Sequence, residues 1–176
     1  SGTAIRPGDI LSMRNGKTIE VMNTDAEGRL IMADALAYAS ESKPDIICDV
    51  ATLTGAAYVA LGVEIGAVFS NNKKTLESFL NSNSDGFENY HPLPLEQSYK
   101  ALIKSKIADM KNSGGRFGGA ITAALLLEEF VDDLDWVHLD IAGPARSRSN
   151  NSIYPEGGTG FGVLGYFNFL TNEAVS

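Results

Sequence analysis

The chain alternates short apolar runs with segments rich in helix-forming residues, and this alternation limits the folds open to it. Residues 45–51 and 65–70 have the length and β-branched content of strands, and 45–51 is typical of a strand buried on both faces. Residues 136–141 predict the last strand. Helices are predicted between and around these runs, at 30–40, 73–81, 95–103, 120–131 and 161–170. We therefore predict an α/β fold with a layered mixed β-sheet flanked by helices.

The N-terminal segment predicts a turn followed by a β-hairpin. The turn is Arg6-Pro7-Gly8-Asp9, and the apolar runs 10–13 and 18–22 flank an Asn15-Gly16 pair. An Asn-Gly pair favours the tight turn that joins two antiparallel strands. A hairpin that starts so early, without helices to cover a sheet, suggests that the chain is a fragment of a larger domain.

Length, charge and cysteine content restrict the function classes. The 176 residues fit one globular unit, with no change in composition that would mark a domain boundary. A net charge of −8 disfavours nucleic-acid binding, and the basic cluster Arg146-Ser147-Arg148 reads as a solvated loop. The only cysteine, Cys48, reads as a small buried apolar residue. Without a disulfide, a leader or a membrane-length apolar run, we expect a cytoplasmic protein that binds no membrane.

Two carboxylates at the junction between the hairpin and the first helix are the candidate metal ligands. In the segment Asn23-Thr24-Asp25-Ala26-Glu27-Gly28-Arg29-Leu30, an extended backbone would point Asp25 and Glu27 to the same side. Divalent cations bind such oxygen ligands, and Arg29 offers donors for an anion or a developing oxyanion. A purely structural alternative remains open, because Thr24 and Glu27 also fit a helix capping box.

Three other features allow both a functional and a structural interpretation. The segment Thr52-Leu53-Thr54-Gly55 follows a predicted strand, where binding loops are common, although it also fits a plain turn. The glycine cluster 114–119 lacks the sequence of a phosphate-binding loop, so close packing of a loop on a helix is favoured. His138 is predicted to be a hydrogen-bonded core residue and His91 to lie in a loop, neither of them a metal ligand.

The octapeptide 23–30 resembles the signature of the leucyl aminopeptidase (cytosol aminopeptidase) family. Further blocks similar to that family follow the same order and extend the resemblance to about residue 170, and these blocks are Arg6–Asp9, Thr52–Ala56, Ser113–Arg116 with Gly118–Ala120, and His138–Gly143. The resemblance implies a metal-dependent exopeptidase that releases N-terminal residues, with a leucine-type preference, from peptide substrates. It also implies that residues 1–176 are the C-terminal portion of the catalytic domain.

The resemblance assigns roles to individual residues. Asp25 and Glu27 would bind a pair of divalent metal ions, zinc or manganese, and Arg29 would hold a bicarbonate-like anion or stabilise the tetrahedral intermediate. Leu53 and Gly55 would offer backbone groups to the substrate, and Thr52 and Ala142 would line the pocket for its N-terminal side chain. The resemblance also implies a homo-oligomer, which is a hexamer in the family.

The chain departs from the family pattern in its metal ligands. The upstream segment that supplies a metal-binding lysine, further aspartates and a second catalytic lysine is not among these 176 residues. We therefore expect the chain alone to be inactive, because a complete two-metal site needs those ligands. The alternative is that the chain is a non-catalytic scaffold or binding domain derived from the same fold.

Overall fold

The computed structural model describes residues 2–150 and 154–173, which form two compact units rather than the one predicted. The first unit consists of Ser1–Ile47 and Leu95–Leu134, and the second of Cys48–Pro94 and Asp135–Ser176. In chain order the elements are β1 Ile10–Ser12, β2 Thr18–Glu20, α1 Gly28–Ser40, β3 Ile46–Ala51, α2 Gly55–Leu61, β4 Ile65–Ser70, α3 Lys73–Ser82, β5 Asn89–Pro92, a 3₁₀ helix Gln97–Ile103, β6 Met110–Lys111, α4 Gly119–Glu128, β7 Asp135–Asp140, β8 Arg146–Ser147, β9 Gly157–Gly158 and α5 Val163–Glu173.

The first unit is built around a three-stranded sheet and two packed helices. The sheet has the order β1-β2-β6, with β1 and β2 antiparallel and β2 and β6 parallel. Helix α4 packs against α1, and it is buried on almost every side because its sequence is Ala- and Leu-rich throughout. The predicted turn and hairpin are confirmed: the Asp9 amide donates to the Arg6 carbonyl at 3.1 Å, and Gly16 has a φ of 86°.

The second unit contains the mixed sheet that the sequence predicts. Its order is β3-β7-β4-β5, with β4 parallel to β5 and antiparallel to β7. Helices α3 and α5 pack against each other, and Phe79 and Phe169 meet edge to face at 5.6 Å. The side chains of Phe69, Trp136 and Leu139 are fully buried in this core. The α/β class and the mixed sheet are therefore confirmed.

Several detailed expectations are wrong. Strand β3 is an edge strand of its sheet, and Val50 is 46% exposed, so β3 is not buried on both faces. Composition alone does not separate an end strand from a central one. In the predicted helix 95–103, Gln97–Ile103 forms a 3₁₀ helix and residues 95–96 are not helical. Strands β8 and β9 follow β7, which is thus not the last strand. Helix α2 and the short strands β5 and β6 were not predicted, because each is too short to show a period.

Candidate metal and substrate sites

The segment that carries Asp25 and Glu27 is a turn, not the extended strand on which the same-side argument depends. The Asp25 amide donates to the Asn23 side-chain oxygen at 3.0 Å, and the Ala26 amide donates to the Asn23 carbonyl at 3.3 Å. Asparagine bonds its own backbone two residues on and so favours this turn. Glu27 has helical dihedral angles, φ −74° and ψ −33°. The shared direction of the two carboxylates therefore does not follow from strand geometry.

The capping-box alternative is also wrong. Glu27 is itself the N-cap of α1, no side chain caps the helix, and Thr24 lies three residues before the cap. Asp25 and Glu27 are both exposed. Within the described residues, neither carboxylate takes part in an ion pair or accepts a hydrogen bond. Both acids are thus free of the structural role that the capping box would give them.

Asn112 holds the turn in place from a distant part of the chain. Its side-chain oxygen accepts from the amides of Met22 at 2.8 Å and Asn23 at 3.2 Å. Its side-chain nitrogen donates to the carbonyls of Asn23 at 2.7 Å and Ala26 at 3.3 Å. Asn112 is fully buried, and β6 ends immediately before it beside β2. The side-chain amide of Asn112 therefore makes hydrogen bonds to the backbone of the segment 22–26 like those that a neighbouring strand would make.

Arg29 is placed by the start of α1. It is the second residue of the helix and is half-buried. The Leu30 and Ile31 amides donate to the Glu27 carbonyl at 2.9 and 3.2 Å, which fixes the first turn that joins Glu27 to Arg29. A guanidinium offers a planar fork of donors that can bind an anion.

The donor set fits a divalent cation but does not complete a site. Asp25 and Glu27 supply carboxylate oxygens, the ligand type that such cations bind. Across residues 2–150 and 154–173, no group of three or more His, Cys, Asp or Glu side chains is placed to hold a metal ion. Other ligands would have to come from outside the described residues.

In the second unit, two of the four predicted substrate residues, Leu53 and Ala142, donate hydrogen bonds to one buried carboxylate, that of Asp140. Thr52 and Gly55 are exposed, and Leu53 and Ala142 are half-buried. Thr54 caps α2 by accepting from the Ala57 amide at 3.0 Å, so Gly55 is the first residue of that unpredicted helix. Asp140, at the end of β7, accepts hydrogen bonds from Leu53, Thr54 and Ala142. The structure thus links Leu53 and Ala142, which lie far apart in sequence.

His138 is a core residue, as predicted. It is 1% exposed, its Nδ1 lies 2.5 Å from Asp49 Oδ1, and it stacks between Phe69 and Trp136. Burial opposes its protonation, but the Asp49 carboxylate outweighs burial and raises the pKa of the imidazole. The prediction that His91 lies in a loop is wrong, because His91 belongs to β5 and pairs with Ala67 of β4.

Cys48 and the arginine cluster differ in part from expectation. Cys48 is half-buried rather than buried, and desolvation, followed by the neighbouring Asp49 charge, raises its pKa to about 12. It is therefore a poor nucleophile. Arg146 and Arg148 are exposed as predicted, although Arg146 lies in the short strand β8.

The glycine cluster serves close packing, as predicted. A Cβ on Gly114 would lie 2.9 Å from Thr122, and one on Gly118 would lie 2.9 Å from Tyr99. Gly118 also has a φ of 62°, a left-handed conformation that lets it precede α4.

Sequence reasoning missed Asn112 and Asp140. Asn112 bonds to residues 86 to 90 positions away, and Asp140 bonds to residues 86 and 87 positions away, so no local spacing could connect them. The only available signal for Asp140 was its place inside a family block.

The comparisons with known proteins agree with this architecture. The model of the cytosol aminopeptidase family, catalytic domain, matches residues 1–165. A probable cytosol aminopeptidase of Prochlorococcus marinus subsp. pastoris is 50% identical over 174 residues, which cover 98% of this chain and 35% of that protein. One from Syntrophotalea carbinolica is also 50% identical, over 173 residues, with the same coverage of each protein.

Solved structures give the same result. A tomato leucine aminopeptidase mutant matches with a TM-score of 0.92 and 44% identity, over 98% of this chain and 33% of that one. The bottromycin maturation enzyme BotP in complex with Mn matches with a TM-score of 0.93 and 38% identity, over 98% and 39%. The fold is therefore that of an aminopeptidase catalytic domain. The chain belongs to the cytosol aminopeptidase family, and it spans about a third of the length of these relatives.

Proposed function

We propose that this chain supplies part of the active site of a metal-dependent aminopeptidase. The observation that carries the proposal is the turn 23–27, which presents two exposed carboxylates at the start of α1 and is held by the buried side chain of Asn112. Residues 1–176 would be the C-terminal portion of the catalytic domain. The activity, substrates and partners would be those of the whole protein, since the chain spans about a third of the length of the relatives it matches.

Asp25 and Glu27 are the residues that would hold divalent metal ions, zinc or manganese. Bound there, two such ions would activate a water molecule for attack on the peptide carbonyl. Manganese is supported by the similarity to BotP, whose structure is a complex with Mn. The remaining ligands would come from other segments of the protein, since Asp25 and Glu27 cannot by themselves bind two ions with fixed geometry.

Arg29 would stabilise negative charge next to the two carboxylates. It is the second residue of α1 and lies two residues after Glu27 in sequence. Its guanidinium would donate hydrogen bonds to a bicarbonate-like anion or to the oxyanion of the tetrahedral intermediate. Both roles need a fixed positive charge, which arginine keeps at every relevant pH.

Thr52, Leu53, Gly55 and Ala142 would bind the N-terminal residue of the peptide, with a leucine-type preference. The Leu53 amide donates to Asp140, so its carbonyl is the backbone group left to receive the substrate's amino group. A Cβ atom added to Gly55 would have no neighbouring atom within 4 Å, so there is room for a ligand to approach the Gly55 backbone. Thr52 and Ala142 would line the pocket for the side chain.

The assembled protein would be a homo-oligomer, with a hexamer as in the family, and would act in the cytoplasm. The exposed apolar side chains of Val59 and Phe117, 83% and 80% exposed, are compatible with contacts to further protein surface. The name of the curated relatives supports the compartment. None of the described helices has the length and apolar character needed to span a bilayer.

The test uses isosteric variants in the full-length protein. Asp25→Asn and Glu27→Gln should each lower the metal content and abolish leucine release from leucinamide, because each removes an anionic ligand. Asp34→Asn is the matched control: Asp34 is an exposed acid on α1 that binds the Arg14 amide. Full metal content and turnover in the Asp25 and Glu27 variants would reject the assignment. Wild-type protein that binds no metal and releases no leucine would favour the scaffold alternative.

A further inference from the structure

Asp140 is a buried carboxylate that joins two separate segments of the second unit. It is 1% exposed and occupies the C-terminal end of β7. One of its oxygens, Oδ1, accepts from the amides of Leu53 at 3.1 Å, Thr54 at 3.3 Å and Ala142 at 3.2 Å. The other, Oδ2, accepts from the Thr54 hydroxyl at 2.6 Å. All of its partners therefore lie in the loop before α2 or in the segment just after β7.

These hydrogen bonds tie the start of helix α2 to Ala142. Thr54 is the N-cap of α2, so its bond to Asp140 also anchors the start of the helix that carries Tyr58. Tyr58 and Ala142 are two of the residues that line a cavity of about 340 Å³, and none of the described lining residues belongs to the loop 52–55. The bond from the Thr54 hydroxyl to Oδ2, at 2.6 Å, is shorter than the three backbone amide bonds to Oδ1, which are 3.1 to 3.3 Å long. The Thr54 hydroxyl therefore makes the closest of the contacts that hold α2 to the end of β7.

We propose that Asp140 is the positioning residue that sets the selectivity of the protein for the side chain of the N-terminal residue. The inference rests on the proposed function, because it takes Leu53, Gly55 and Ala142 as substrate-binding residues. Asp140 touches no substrate itself. It holds the loop 52–55 and Ala142 in register, so that the space offered to a side chain has a fixed width. A change at Asp140 therefore alters discrimination between large and small side chains rather than the chemical step.

The experiment compares two aspartates on the same strand of the full-length protein. In Asp140→Asn, an NH₂ group takes the place of one carboxylate oxygen, so the Thr54 hydroxyl loses its acceptor. The hydrogen bonds from the three backbone amides then go to a neutral oxygen instead of a carboxylate. Asp135→Asn is the matched control at the other end of β7. The Asp135 carboxylate accepts from Asn72 and from the Thr75 hydroxyl, both at 2.9 Å, and thus holds the start of α3. Each substitution removes a carboxylate that anchors a neighbouring segment, but only Asp140→Asn affects the loop 52–55.

The readout is kcat/KM for leucinamide divided by kcat/KM for glycinamide. Asp140→Asn should lower this ratio about tenfold with unchanged metal content, whereas Asp135→Asn should leave it within about twofold of wild type. Thr54→Val removes the bond to Oδ2 and the N-cap bond from the Ala57 amide but keeps the three amide bonds to Oδ1. It should lower the ratio by a smaller factor, and it replaces Asp140→Asn as the test variant if Asp140→Asn does not fold. An unchanged ratio in Asp140→Asn, or in Thr54→Val if that variant is needed, would overturn the proposal. An equal fall in Asp135→Asn would also overturn it.

A second readout separates this inference from the proposed function. Amide hydrogen exchange should show that Leu53, Thr54 and Ala142 lose protection together in Asp140→Asn and keep it in Asp135→Asn. Unaltered exchange at these three amides would contradict the positioning role, whatever the activity. If wild-type protein cleaves neither amide, the proposed function fails, and the exchange result alone decides whether Asp140 positions the two segments.

Discussion

Replacing Asn112 by alanine tests whether the turn that carries the candidate metal ligands depends on one buried amide. The substitution removes four hydrogen bonds, to the amides of Met22 and Asn23 and to the carbonyls of Asn23 and Ala26. At roughly 1 kcal/mol net for each bond, the full loss is about 4 kcal/mol. Water can reach the exposed residues Met22 and Asn23, so we expect unfolding to become easier by about 2–4 kcal/mol.

The effect on metal binding should exceed what lost stability explains. Once the turn is released, Asp25 and Glu27 no longer have a fixed position, and residues that support metal ligands typically contribute about 10- to 100-fold in affinity. The assay is calorimetric titration of Mn²⁺ into metal-free full-length protein, paired with urea unfolding. We expect Asn112→Ala to weaken Mn²⁺ binding at least tenfold.

Asn83→Ala is the matched control. Asn83 is also a buried asparagine, 8% exposed, and its side-chain nitrogen donates to the carbonyls of Phe79 at 2.9 Å and Gly165 at 3.2 Å. It lies in the second unit, which contains neither Asp25 nor Glu27. Its loss should reduce stability by a similar amount and leave Mn²⁺ affinity unchanged. Equal weakening of Mn²⁺ binding in both variants, or unchanged binding in both, would show that Asn112 does not position the metal ligands.

Two further predictions concern charged groups of the first unit. Arg29→Ala should raise the barrier for amide hydrolysis by about 2.7–4 kcal/mol, seen as a fall in kcat, and a change in KM alone would exclude a role in the transition state. Burial opposes ionisation of Glu129, but hydrogen bonds from Lys100 and Lys17 outweigh burial and lower its pKa below 4.5. The ionised group therefore stabilises the fold above about pH 4.5, and this contribution is lost as the pH falls through the lowered pKa. Glu129→Gln should lower the free energy of unfolding by up to about 1 kcal/mol at pH 7 and by progressively less in acid. A loss of stability that is independent of pH in urea unfolding would contradict this.

The parts of the fold that the sequence predicts are those with strong local signals. The Asn15-Gly16 turn, the Ala- and Leu-rich helix α4 and the β-branched strand β4 each carry their signal within a few residues. Helix α2 was not predicted because it is short and begins at a glycine after a loop, with Thr54 as its N-cap. The position of β3 at the end of its sheet is set by tertiary pairing, which no local pattern contains.

In the candidate site, too, local sequence signals were predictable and long-range contacts were not. The octapeptide identified Asp25, Glu27 and Arg29 as candidates, but the geometric argument for them assumed an extended backbone, and Asn23 turns the chain instead. The side chains that hold the two loops, Asn112 and Asp140, act across more than 85 residues. Long-range hydrogen bonds of this kind become visible only once the chain is folded.

An assay of the 176-residue chain by itself, verified by mass and with added zinc or manganese, tests whether Asp25 and Glu27 are only part of a metal centre. We propose that the other ligands of this centre lie elsewhere in the protein. We therefore expect weak binding of at most one cation per chain and no release of leucine from leucinamide, because water must replace the missing ligands. Addition of the complementary part of the protein should restore turnover. Clear turnover by the chain alone, abolished by a chelator, would show that the chain holds a complete metal site and would rule out this proposal.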